Sequence, residues 1–152
     1  ERQMYGDVMQ IGVELSKAVE NKRVFVVDGN EIFRAALQFM LHDEYEAHEL
    51  ASIDAATDKA KEWRPDLIVI AEDAVHSEGL GVFEMLKKRI ADARILVVVE
   101  ALDSGFGEDC VKAGADGYIA KPLKIEFVRQ KVDTLLGRHK GVTIPLTVLQ
   151  TK

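Results

Sequence analysis

The chain has 152 residues, 47% of them hydrophobic, with 20 Lys and Arg against 26 Asp and Glu for a formal net charge of −6. That length carries one core plus some extra chain at the ends, and the acidic balance excludes a nucleic-acid binder working through a broad basic surface. A single cysteine, Cys110, excludes an internal disulfide framework, and no apolar run approaches the ~20 residues that cross a bilayer.

Met4, Val8, Ile11, Leu15 and Ala18 follow alternating steps of four and three, an a/d seam of about two heptads. Residues 1–20 therefore read as an N-terminal helix. It either docks on its own domain or links domains or copies, with Met4, Val8, Ile11 and Leu15 as the homodimer contacts. Val24-Phe25-Val26-Val27 is a β-branched and aromatic run ending at Asp28-Gly29-Asn30, which predicts a strand and a turn. Helical spacing then puts Ile32, Ala36, Phe39 and Met40 on one side of a helix. A weaker strand is expected over 47–51 and a helix over 53–63, closed by Arg64-Pro65 because the residue before proline avoids helical geometry.

Leu67-Ile68-Val69-Ile70-Ala71 is apolar on both faces, as strands covered by helices on each side must be. Beyond a glycine-containing loop, Val82, Phe83, Leu86 and Ile90 mark a third helix, and Ile95 to Val99 a fourth strand. A short helix to about Ala113 leads into Gly117-Tyr118-Ile119, a fifth strand. Val128, Val132 and Leu135 carry the last helix to Gly137, the expected C-terminal cap. The tail over 142–148 alternates like a strand, and Pro145 confines it to an edge or linker. The organisation is an N-terminal helix at 1–20, a domain at 21–138 and a tail at 139–152.

Strands separated by helices imply right-handed crossovers and a parallel sheet covered on both faces. Chemistry in such folds gathers at the carboxyl ends of the strands. That edge carries Asp28, Gly29, Ala71, Glu72, Glu100 and Lys121.

Other constellations are absent. His42, His48, His76 and His139 lack metal-site spacing, and no P-loop, G-x-S-x-G or G-x-G-x-x-G occurs. Lys87-Lys88-Arg89 reads as a solvated helix face, and Cys110 as a half-buried thiol.

Three stretches resemble the receiver domain of two-component response regulators, from about Lys22 to Arg138. They are Val26-Val27-Asp28-Gly29-Asn30 followed by Arg34, Arg64-Pro65-Asp66-Leu67-Ile68-Val69-Ile70-Ala71 with Gly79-Leu80 eight residues later, and Ala113-Gly114-Ala115-Asp116-Gly117-Tyr118-Ile119-Ala120-Lys121-Pro122. The last is the specific one. The resemblance implies a flavodoxin-like (β/α)5 fold with strand order 2-1-3-4-5. It also implies phosphoryl transfer onto a strand-end aspartate, assisted by Mg²⁺ on that carboxylate and an acidic pair.

Carried over by position, Asp28 matches the first of the acidic pair and Gly29 stands where the second belongs. The acceptor position is Ala71, whose methyl group neither attacks phosphorus nor ligates a cation. Glu100 replaces the Ser/Thr hydroxyl, and Val75 replaces the loop proline. Lys121, Pro122 and the switch aromatic Tyr118 are retained. The expected protein is thus a pseudo-receiver, not an enzyme and without Mg²⁺, acting in the cytoplasm through protein–protein contacts. By resemblance, those contacts lie on the face around Cys110, Tyr118 and Val128. Starting at Glu1, the chain is expected to be a piece of a larger signalling protein. Lys121 is expected either to pair with Glu100, fixing one switch state, or to leave Glu100 in solvent at a vestigial site. The rival reading is an active receiver phosphorylated on Glu72 or Asp73. Alternation of side chains along a strand turns a carboxylate one residue on toward another face. A doubly wound enzyme is the third reading, disfavoured by the missing nucleophile–base and phosphate-cradling motifs.

Overall fold

A computed structural model describes residues 22–137. The strands are β1 (Arg23–Val27), β2 (Glu46–Leu50), β3 (Leu67–Ala71), β4 (Arg94–Val99) and β5 (Gly117–Ala120). The helices are α1 (Glu31–Leu41), α2 (Ile53–Lys59), α3 (Glu72–Glu78), α4 (Val82–Arg89), α5 (Phe106–Lys112) and α6 (Ile125–Leu135). All strand pairs are parallel, and the sheet order is β2-β1-β3-β4-β5. This is the flavodoxin-like architecture the resemblance implied.

Strand alternation divides the core in two. Phe25, Val27, Ile68, Ile70, Ile95, Val97 and Val99 face α2 to α5, where Ile53, Val75, Phe83, Leu86 and Cys110 complete one cluster. Val24, Val26, Leu67, Val69, Leu96, Val98 and Ile119 face Leu37 and Leu41 of α1 and Val128 and Val132 of α6. The central strands are buried throughout, which explains their unbroken apolar runs. At the opposite edge from the strand ends, carboxylates pin the strand starts: Asp66 accepts from Arg23 N–H at 2.8 Å, and Asp116 from Ile95 N–H at 2.7 Å and Lys87 Nζ at 2.6 Å.

Four expectations change. The side of α1 carrying Ile32, Ala36 and Phe39 points away from the core, with Ile32 79% and Phe39 66% exposed, while Leu37 and Leu41 turn inward. Helical periodicity found an apolar stripe there, but α1 is apolar over more of its surface than the sheet covers. Instead of a loop, Glu72–Glu78 forms α3 directly after β3, with Glu72 and Asp73 in its first turn and Gly79 at φ 90° ending it. Acidic residues at a helix start complement its dipole, and Val75 in place of proline leaves the backbone N–H free to bond. The helix over 53–63 stops at Lys59 and continues as turns to Trp63. Cys110 is fully buried rather than half-buried. The seam of residues 4–18, the tail at 142–148 and His139 lie outside the described residues.

Candidate functional site

Period-two alternation extends the α1/α6 face of the sheet to the strand ends. Asp28, Ala71, Glu100 and Lys121 stand in phase with Val26, Val69, Val98 and Ile119. The β1–β3 register, Val27 opposite Ile70, sets Asp28 beside Ala71. Here Asp28, Glu100, Lys121 and Pro122 meet Phe33, Ala36 and Met40 of α1 around a cleft of about 470 Å³.

Asp28 is buried, and its Oδ1 accepts from Asn30 N–H at 2.8 Å. Asn30 in turn caps α1, its side chain accepting from the N–H groups of Ile32 and Phe33. Arg34 donates to the carbonyl of Asp28 at 2.8 Å and pairs with Glu49 at 3.1 Å. Gly29 has an ordinary backbone, and a Cβ there would sit 3.8 Å from its nearest neighbour, so sterics do not demand glycine. Ala71 is buried and occupies the N-cap position of α3 without a side-chain capping bond.

Lys121 Nζ donates to Glu100 Oε2 at 2.9 Å, and the same ammonium lies 3.6 Å from the centroid of the Phe33 ring. The lysine side chain is 18% exposed and the glutamate 54%. An ion pair this open adds no more than about 1 kcal/mol, and the ring adds a cation–π attraction of similar order. The Lys121–Pro122 peptide is cis. Phe33 was missed in the sequence, where it reads as one more apolar residue of α1; nothing in its spacing distinguishes it.

Glu72 belongs to the other side. Its Oε1 accepts from Glu100 N–H at 2.9 Å and its Oε2 meets His76 Nε2 at 3.0 Å, while the His76 ring lies 4.4 Å from that of Phe106 in α5. Burial pushes the Glu72 carboxyl up, but the Glu100 N–H and His76 outweigh it and hold the group below the usual carboxylate range. Asp73 is exposed.

Tyr118 is likewise on the α2–α5 side, packed against that cluster. Its hydroxyl donates to Glu108 Oε2 at 2.5 Å. The Glu108 carboxylate raises the phenol above its ordinary pKa, and the phenol lowers that of Glu108. The ring lies over Gly107, where a Cβ would come within 2.3 Å of it. The sheet therefore separates Tyr118 from the Lys121–Glu100 pair.

The expected partner face changes in detail. Cys110 and Val128 are buried, and in opposite clusters, because each occupies the core-facing position of its helix. Outward positions on those helices are held by Val111 and Phe127 instead. Burial pushes the Cys110 thiol up to about 11.

The residues present do not fit the Mg²⁺ site of a phosphorylating receiver. Of the acidic pair and acceptor only Asp28 supplies a carboxylate, since Gly29 and Ala71 carry no side-chain oxygen, which leaves one anionic ligand where such a site assembles several around the cation and its waters. Among the described residues no group of three or more His, Cys, Asp or Glu converges to hold a metal ion. No helix among them is long and apolar enough to cross a membrane.

The profile of the response regulator receiver domain matches residues 24–133, most of the chain. The chain belongs to the response regulator receiver domain family. This receiver is 31% identical over 116 residues to chemotaxis protein CheY of Halobacterium salinarum, spanning 76% of its own length and 97% of the relative. It is 29% identical over 98 residues to the DNA-binding transcriptional activator EvgA of Escherichia coli K12, covering 63% of this chain and 48% of that one. The chain thus spans about half the length of that relative. Among solved structures, a response regulator from Thermotoga maritima superposes with a TM-score of 0.69 at 22% identity, over 77% of this chain and 98% of that one.

Proposed function

We propose that this receiver is a signalling module that works without phosphorylation and without Mg²⁺, through contacts with a protein partner or neighbouring domain. One observation carries the reading. The acceptor position holds the buried methyl group of Ala71, and the lysine that would meet a phosphoryl group is already paired with Glu100 at 2.9 Å. Every group left at the site has an internal partner: Asp28 with the Asn30 N–H, Lys121 with Glu100 and Phe33, and Glu72 with Glu100 N–H and His76.

Tyr118 fits the same reading, since Glu108 and the space above Gly107 set its orientation from outside the site. The active-receiver alternative rests on Glu72, whose carboxylate hydrogen-bonds at the strand ends. Both its oxygens are already engaged, by Glu100 N–H and by His76, which favours the inactive reading. NMR spectra of the chain with beryllofluoride and Mg²⁺ test the choice. Unchanged amide resonances at Asp28, Ala71 and Lys121 are expected; saturable, Mg²⁺-dependent shifts there overturn the proposal.

A further inference from the structure

The cleft between α1 and the end of β5 is walled mainly by carbon, yet a buried carboxylate stands in it. Phe33, Leu37 and Met40 of α1 line it together with Val98 of β4 and Leu123 beyond β5, around a space of about 470 Å³, within the range of small-molecule sites. Asp28, where β1 ends, lines the same cleft and is only 4% exposed. Its Oδ1 accepts from Asn30 N–H at 2.8 Å. Among the described residues its second oxygen accepts no hydrogen bond, and no ammonium or guanidinium pairs with the carboxylate: Arg34 donates to the Asp28 carbonyl and pairs with Glu49, and Lys121 pairs with Glu100. A buried carboxylate with one partner is costly, and a cation from outside would relieve it.

We propose that this cleft binds a small alkyl amine, with its ammonium head on the second oxygen of Asp28 and its apolar tail along α1. Three observations select that chemistry. The charges lining the cleft are Asp28 and Glu100 against Lys121, so the site attracts a cation over an anion. Lys121 does not supply that cation, because Glu100 at 2.9 Å and the Phe33 ring at 3.6 Å already hold its ammonium. Finally, Phe33, Leu37 and Met40 follow one another in steps of four and three on one side of α1, about 10 Å of helix, which gives the tail an apolar path leading away from the head. A hydrated metal ion gains nothing from such walls and finds a single carboxylate; an alkylammonium uses both features.

Octylamine, octanol and octanoate share one tail and differ in the head, and amide NMR titrations of the full chain with each test the proposal. They are run without Mg²⁺ or phosphodonor, so their outcome is separate from that of the beryllofluoride experiment. Octylamine is expected to give saturable shifts at Asp28, Phe33, Leu37 and Leu123, with a Kd about tenfold or more below that of octanol and with octanoate weaker than either. Asp28→Asn, which keeps an oxygen for Asn30 N–H, should bring octylamine level with octanol. Octanol as tight as octylamine in the unaltered chain would overturn the proposal and assign the cleft to an apolar side chain of a protein partner. Octanoate as the tightest probe would make Lys121 the anchor instead. No saturable shift, shifts centred on the exposed Ile32 and Phe39, or an amine preference that survives Asp28→Asn would equally contradict it. The comparison of heads needs no variant, so it decides the matter even if Asp28→Asn does not fold.

Discussion

Replacing Gly107 by alanine probes whether the Tyr118 orientation is written into α5. The new methyl carbon would lie 2.3, 2.4 and 2.5 Å from Cδ2, Cε2 and Cγ of the ring, about 1 Å inside normal contact at about 3.5 Å. The ring must leave, taking its hydroxyl from Glu108. Overpacking of this sort costs about 1–3 kcal/mol, while alanine for glycine inside a helix returns about 0.5–1 kcal/mol. The net expectation is a loss of about 1 kcal/mol in a urea melt. A second readout follows the phenol, raised mainly by the hydrogen bond to Glu108. In Gly107→Ala it should return toward its ordinary value, seen as an ultraviolet difference titration against Tyr118→Phe to isolate it from the other two tyrosines. A variant that gains the full helix-propensity increment and keeps the raised phenol would refute the reasoning.

Glu100→Thr removes a half-exposed ion pair, so stability should change by less than about 1 kcal/mol. The Tyr118 ring, on the other side of the sheet, should not move; altered Tyr118 resonances would show coupling through β4. Glu72→Gln tests the acid limb. A carboxyl held below its unfolded value contributes stability that is present above that value and lost as pH falls through the folded one. The variant should therefore be less stable than the parent near neutrality and converge with it as pH falls below the ordinary carboxylate range; parallel curves in denaturant titrations refute this. Gly29→Asp with Ala71→Asp places new carboxylates beside Asp28 and should destabilise the chain without metal, with Mg²⁺ at ten times its Kd restoring about 1.4 kcal/mol. A thermal shift with Mg²⁺ in the unaltered chain would contradict the account.

Much of this was legible because parallel strands write themselves plainly. Phe25 to Val27, Leu67 to Ala71 and Ile95 to Val99 are apolar on both faces, and such runs admit few alternatives. Their alternation also brings Asp28, Ala71, Glu100 and Lys121 to one side without any knowledge of packing. Helix faces were harder. On α1 the stripe of Ile32, Ala36 and Phe39 is as apolar as the buried pair Leu37 and Leu41, so periodicity could not tell which of them the sheet covers. Cys110 and Val128 locate their helices rather than an outward face, because both side chains are buried against the sheet. The Phe33 contact with Lys121 and the Gly107 seat for Tyr118 depend on elements meeting in space. Only the α3 helix left a usable signal, in its two leading carboxylates and closing Gly79.

The intact mass of the chain after incubation with acetyl phosphate and Mg²⁺ bears most directly on the proposal that phosphorylation has been lost. The Gly29→Asp, Ala71→Asp, Glu100→Thr triple variant serves as the restored control. The unaltered chain should keep its mass while the triple variant gains a phosphoryl group. A Mg²⁺-dependent phosphoryl adduct on the unaltered chain, abolished by Glu72→Gln, would contradict the account and make Glu72 the acceptor.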